Sequence, residues 1–183
     1  MTAAPSFGSP SQPFSLQPAL PGLLLAALTL LFGFGMGVVF GLNEDLIKSR
    51  LSAAAAAAPA SAYQQDEGAK RAVLDKAWTY MQRAHLHAGS LGAVSVALTL
   101  VLVGLGTGAR VTRATSVGLG GGSLGYSVFW LWAGFRAPGL GSTGAAKESL
   151  AWLAIPSSGL VVAGTFAVAA LIALALFRRP SSA

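Results

Sequence analysis

The sequence predicts an all-α integral membrane protein, a four-transmembrane-helix bundle in which helices 1 and 2 extend beyond the bilayer as a helical hairpin. Three observations predict it. Four apolar stretches run over Ala19–Leu42, Ala88–Thr107, Thr115–Phe135 and Ser157–Phe177. Each is about 20 residues, the length an α-helix needs to cross a ~30 Å hydrocarbon layer. None of the four contains Asp, Glu, Lys, Arg or His.

Composition agrees. Of 183 residues, 54% are hydrophobic and 10% charged, against about 25% charged in a soluble domain. Four spans leave too little chain for a separate soluble domain. The expected organisation is therefore a flexible tail over residues 1–18 and one membrane domain over 19–179. The net charge of +6 does not point to nucleic acid, because Lys and Arg flank the spans instead of forming one basic face. The chain has no cysteine, which excludes disulfides, thiolate metal sites and thiol nucleophiles. The tail has several Pro and Ser and no charge. It lacks the basic start of a secretory signal, so the first span is read as a retained helix.

Between the first two spans, Leu42, Leu46, Ile47, Leu51, Ala54, Ala55 and Ala58 recur at helical spacing. Glu44 and Lys48 stand at i,i+4 in the favourable order. The run Ala53–Ala58 has high helix propensity, and Pro59 ends the pattern. Helix 1 is thus expected to continue to about Ala58. Ser61-Ala-Tyr-Gln64 reads as a capping box for the next helix. No proline follows before Pro138, and Leu74, Ala77, Trp78, Met81, His85 and Ala88 form one stripe. The two arms would be roughly 25–28 Å long at 1.5 Å per residue. They are expected to pair as an antiparallel hairpin standing off the membrane, Leu46, Ile47 and Leu51 against Leu74, Trp78 and Met81. The alternative is an arm lying in the interface, anchored by Trp78 and Tyr80.

Helices in lipid associate by close packing at small residues. Gly33, Gly37 and Gly41 repeat every four residues in span one; Gly118, Gly122 and Gly121, Gly125 do so in span three. Gly33, Gly37, Gly41, Gly118, Gly122 and Gly125 are the candidate packing residues, between spans one and three or toward a partner chain. Gly120-x-Gly122-x-x-Gly125 matches the dinucleotide pattern, but that chemistry needs a strand–turn–helix in a βαβ unit. Here the glycines lie in an apolar span. In span four, Ser142 or Ser149 is the expected cap, and Pro156-Ser-Ser-Gly159 is expected to kink the helix or divide a short interfacial helix from the span.

The two histidines, His85 and His87, fall at the border of span two. Residues two apart on a helix point about 200° from each other, so one metal ion would not take both. With Asn43, Glu44, Asp45 and Arg83 expected nearby, the candidate rim chemistry is a haem or metal site. His85 and His87 are the cofactor-binding candidates, and Glu44, Asp45, His85 and His87 the metal candidates. The competing reading is that these charges anchor helix ends and pair with one another. No catalytic residue is assigned.

The hairpin side carries Lys48, Arg50, Lys70, Arg71, Lys76, Arg83, Arg136 and Lys147; the terminal side carries Arg110, Arg113, Arg178 and Arg179. The positive-inside rule then places the hairpin in the cytoplasm. The expected function is a non-catalytic accessory or scaffold subunit of a larger membrane complex, in a bacterial inner membrane, with lipid and other membrane subunits or a second copy as partners. A haem- or metal-binding redox protein is the first alternative. A small transporter lined by Ser95, Thr99, Ser123, Tyr126 and Ser127 is the second.

Overall fold

A computed structural model describes residues 15–177. Most of the expected tail, and Arg178 and Arg179, lie outside the described residues. Those described form helices and turns, with no strand among them. A 3₁₀ turn at Gln17–Ala19 leads into α1 (Leu20–Ala56), followed by α2 (Ala60–Tyr63), α3 (Glu67–Gly104), α4 (Ala109–Leu140), α5 (Thr143–Glu148) and α6 (Ala151–Phe177). Three helices are long and apolar enough to cross a membrane: the first together with its 3₁₀ turn, α3 and α6. The fourth long helix, α4, matches them in length but carries Gly and Ser through its middle.

Packing explains that composition. α4 touches α1, α3 and α6, whereas α6 leans almost wholly on α4. The arrangement is a three-helix cluster of α1, α3 and α4 with α6 laid against the outside of α4. A helix with neighbours on three sides needs small residues on three sides. Toward α1, a Cβ on Gly120 would lie 2.6 Å from the Gly22 carbonyl oxygen, and one on Gly22 would run into the Ser116 backbone. Toward α3, a Cβ on Gly134 would lie 2.6 Å from Met81 Cγ. Toward α6, one on Gly122 would lie 2.7 Å from the Ser157 carbonyl oxygen, and one on Gly125 would overlap Ser157 Oγ.

The glycine faces thus divide differently from the sequence pattern. Gly33 and Gly37 face α3, at Ala88 and His85, not α4. Gly122 and Gly125 face α6, with Gly118 in ordinary contact at 3.7 Å from Leu160 Cδ2. Gly41 has nothing within 4 Å. The contact between α1 and α4 falls to Gly22 and Gly120. Gly120, Gly122 and Gly125 all lie inside a continuous helix, with no strand–turn preceding them.

Several local expectations are corrected. α1 bends at Asn43, which leaves helical geometry at φ −134° and ψ 28°. Ser61 does not open a capping box. Ala60–Tyr63 is a single turn, and Gln64 and Gln65 reverse the chain with φ of 48° and 60°. α3 starts instead at Asp66, whose side chain accepts hydrogen bonds from the Gly68 and Ala69 amides at 2.8 and 3.0 Å. α3 ends at Gly104, so Thr107 belongs to the following turn, where its hydroxyl donates to the Leu102 carbonyl at 3.1 Å. Ser142 caps α5, its hydroxyl accepting from the Ala145 amide at 3.2 Å. The break before span four falls at Ser149–Leu150, and α6 runs on through Pro156.

The arms of α1 and α3 do pair. Ile47 and Leu51 pack with Ala77, Met81, Val73, Leu74 and Trp78, while Leu46 stays exposed. Ala137 of α4 and Ala146 of α5 belong to the same cluster. The tip also folds back: Tyr63 Oη donates to the Pro138 carbonyl at 2.5 Å, and a Cβ on Gly141 would meet Ala62. Partial burial raises the Tyr63 phenol above its ordinary pKa. The hairpin is therefore one wall of a lobe that includes the end of α4 and α5, and it does not stand free.

Close approach at Gly120 has a measurable counterpart. Gly120→Ala should cost about 1–3 kcal/mol by overpacking and lower the thermal midpoint in detergent. Gly41→Ala, in open space, should stay within about 0.5 kcal/mol of the parent. Equal midpoints for the two variants would contradict the packing described.

Candidate functional site

The border residues of α3 are presented to two different neighbours. His85 faces α1. Its Nδ1 lies 2.8 Å from the Gly33 carbonyl oxygen. A carbonyl only accepts, so Nδ1 carries the hydrogen of this bond. Gly37 makes the space for this ring: a Cβ there would lie 2.8 Å from His85 Cε1. Phe40 approaches the imidazole edge-on at 6.4 Å between ring centres. The glycine repeat of α1 and the histidine of α3 are thus one feature, a slot and the ring that fills it.

His87 faces α4. It stacks on Tyr126 with ring centres 5.3 Å apart and planes 10° apart, and meets Trp130 edge-on at 6.1 Å. Trp130 also takes Tyr80 edge-on at 4.9 Å and Phe129 at 5.1 Å. Arg83 lies across this group, its guanidinium carbon 5.2 Å from the Trp130 ring centre and 5.7 Å from that of Tyr80. The cluster arises from spacing: Tyr80, Arg83 and His87 are three and four apart on α3, and Tyr126 and Trp130 four apart on α4.

The acids expected at this rim are engaged elsewhere or exposed. Glu44 pairs with Lys48 at 2.5 Å along α1 and raises the Lys48 ammonium above its ordinary pKa. Lys48 also lies 5.4 Å from the Trp78 ring centre. Asp45 is exposed. Among the described residues, no group of three or more His, Asp or Glu gathers in a way that could hold a metal ion. Glu44, Asp45, His85 and His87 are distributed over an exposed helix flank, the α1–α3 contact and the α3–α4 contact. The pairs between opposite charges are local, Glu44 with Lys48 and Glu67 with Lys70 at 3.4 Å.

Deeper in the bundle, the hydroxyls of α3 and α4 bond across their contact. Ser95 Oγ and Ser123 Oγ are 2.8 Å apart, and Ser127 donates to the Ser123 carbonyl at 2.8 Å. Thr99 Oγ1 is buried without a partner, as is Trp130 Nε1. In α6, Ser158 returns its hydroxyl to the Ala154 carbonyl at 2.8 Å.

A second feature is open to solvent. Between the arms of α1 and α3, a groove of about 1040 Å³ is lined by Leu51, Leu74 and Trp78 together with Lys48, Arg71 and Asp75. The sequence placed these residues on facing helices, but a groove depends on how far the arms splay, which spacing does not state. The aromatic group around Trp130 was also missed, because its members come from α3 and α4. The i,i+4 pair Arg83/His87 was its visible signal.

If the slot reading is right, Gly37→Ala alone should cost about 1–3 kcal/mol, and the same change in a His85→Ala background should cost much less. A double-mutant cycle of melting midpoints measures that coupling, and additive losses would refute it. Comparison with known protein families, with curated proteins and with solved structures finds no match.

Proposed function

We propose that the chain is an integral membrane protein of four spans, with α4 the span that the other helices surround. Its job in this reading is that of a non-catalytic accessory or scaffold subunit in a larger membrane complex. The observation that carries the reading is the outer surface. Leu24, Leu31, Phe34, Val38 and Leu42 of α1, and Ile155, Val162, Phe166, Leu174 and Phe177 of α6, are all exposed large apolar side chains. A surface of that kind on a monomer calls for lipid or protein cover. The lower hydropathy of α4 is consistent with a span, since its sides meet helices instead of lipid. The glycines of α1 and α4 serve as packing residues in this reading, and the charged lobe at one end is the part that a soluble or peripheral segment of a partner would meet.

Hydroxyls that bond each other between α3 and α4 suit assembly as well as passage, and the rim residues suit anchoring as well as ligation. Neither alternative has a specific observation in its favour.

The absence of native cysteine makes the topology directly testable. Single cysteines placed at Gly108 and at Gly139, the two ends of α4, should react with an impermeant maleimide from opposite faces of sealed vesicles. Labelling of both from one face would remove the fourth span. Native purification with mass spectrometry should then return other membrane chains in fixed proportion; a chain that purifies alone and monomeric would count against a scaffold role.

A further inference from the structure

We propose that Arg83 and His87, held against the Trp130 ring, form a binding site for the phosphodiester of an anionic phospholipid. The inference rests on the membrane reading above and extends it. Its first support is a census of donors and acceptors. Among the described residues, the Arg83 guanidinium has neither a carboxylate within 4.0 Å nor a hydrogen-bond acceptor. The His87 ring likewise has no hydrogen-bond partner there, and it is partly exposed beside the exposed Arg83. Arginine offers only donors, and imidazole offers at least one in both its neutral and its charged form. Two donor groups therefore lie against one ring, 5.2 Å and 6.1 Å from the Trp130 centre for Arg83 and His87, and neither is paired with a carboxylate among the described residues. Of the ligands that could reach this exposed pair, an anion satisfies a guanidinium best.

The second support is position. Arg83 is exposed, and His87 and Trp130 are partly so. They sit where span two begins in the sequence, the depth of a headgroup. On α3, Arg83, Leu86, His87, Ser90 and Val94 follow at helical spacing on one face, and Leu86 and Val94 are 62% and 45% exposed. The donor group thus leads along the helix onto an apolar strip. A free phosphate would use the donors alone; a phospholipid uses the donors and the strip. Stacking of the guanidinium on Trp130 and Tyr80 holds it in place before the ligand arrives, which lowers the ordering cost of binding.

The site can be tested on the whole chain in detergent by native mass spectrometry with added phosphatidylglycerol or phosphatidylcholine. One equivalent of phosphatidylglycerol should be retained in preference to phosphatidylcholine. Arg83→Gln should weaken that retention about tenfold, the loss of one charge-assisted contact. Arg83→Lys should keep part of it, having the charge without the planar fork. Arg71→Gln, on the lobe, should bind as the parent does. Helix content by circular dichroism checks that each variant is folded. Unchanged retention by Arg83→Gln overturns the site, as does an equal loss in Arg71→Gln, which would mark unspecific charge. Displacement of the lipid by millimolar inorganic phosphate would assign the donors to a free anion and overturn the lipid assignment. The maleimide labelling reports the span reading separately, so failure of the lipid site and failure of the topology give different results.

Discussion

Backbone-to-backbone approach around α4 is the constraint on which the rest of the structure depends. Three long helices converge on one, and at Gly120, Gly122, Gly125 and Gly134 there is no room for a side chain. In an apolar surround, burying leucine against leucine gains little over leaving it in lipid, so association falls to van der Waals contact and to hydrogen bonds between helices. α4 provides both, with glycines at the crossing points and Ser123 and Ser127 between them. The outer helices then need no polar groups facing outward, and α1 and α6 present leucine, valine and phenylalanine.

The same constraint shapes the border. α3 is clamped between α1 and α4, so residues one or two apart along it meet different helices. His85 enters a slot that Gly37 leaves in α1 and donates to a backbone carbonyl; His87 lies flat on Tyr126 of α4. Two imidazoles that look like a pair in the sequence thereby acquire separate surroundings. Arg83 is placed over aromatic rings and not beside Glu44 or Asp45, because those acids follow the bend of α1 at Asn43 and Glu44 closes locally with Lys48. A cation on an aromatic face keeps its outward donors free, which a salt bridge would consume. Among the described residues, the border therefore brings no three acids and imidazoles together.

Beyond the apolar region, the lobe is held by ordinary burial. Ile47, Leu51, Ala77 and Met81 come from the arms, Ala137 and Ala146 from α4 and α5, and Tyr63 ties the tip to the Pro138 carbonyl. Prolines and left-handed turns set its outline: Pro59 ends the first arm, Gln64 and Gln65 reverse the chain, and Gly141 closes α4 at φ 62°. The groove between the arms follows from that outline.

Read alone, the sequence already showed a helical, apolar chain, a first helix that runs well past Leu42 and stops short of Pro59, and a third helix that continues from the lobe into the apolar region. Those features are local: propensity, periodicity and the missing amide of proline act within a few residues. It also separated His85 from His87, since helical geometry alone sets them about 200° apart. Which face meets which helix was decided only in three dimensions. A four-residue glycine repeat is the same string whether it admits α3, α4, α6 or nothing, and Gly37, Gly122 and Gly41 illustrate three of those outcomes. Asp66 and not Ser61 caps α3, and Tyr63 between them ties the tip to the Pro138 carbonyl, a contact from a distant part of the chain. The ring of contacts around Trp130 was equally hidden, since its α3 and α4 members are 39 to 50 positions apart along the chain and only the antiparallel packing of α3 on α4 brings them together.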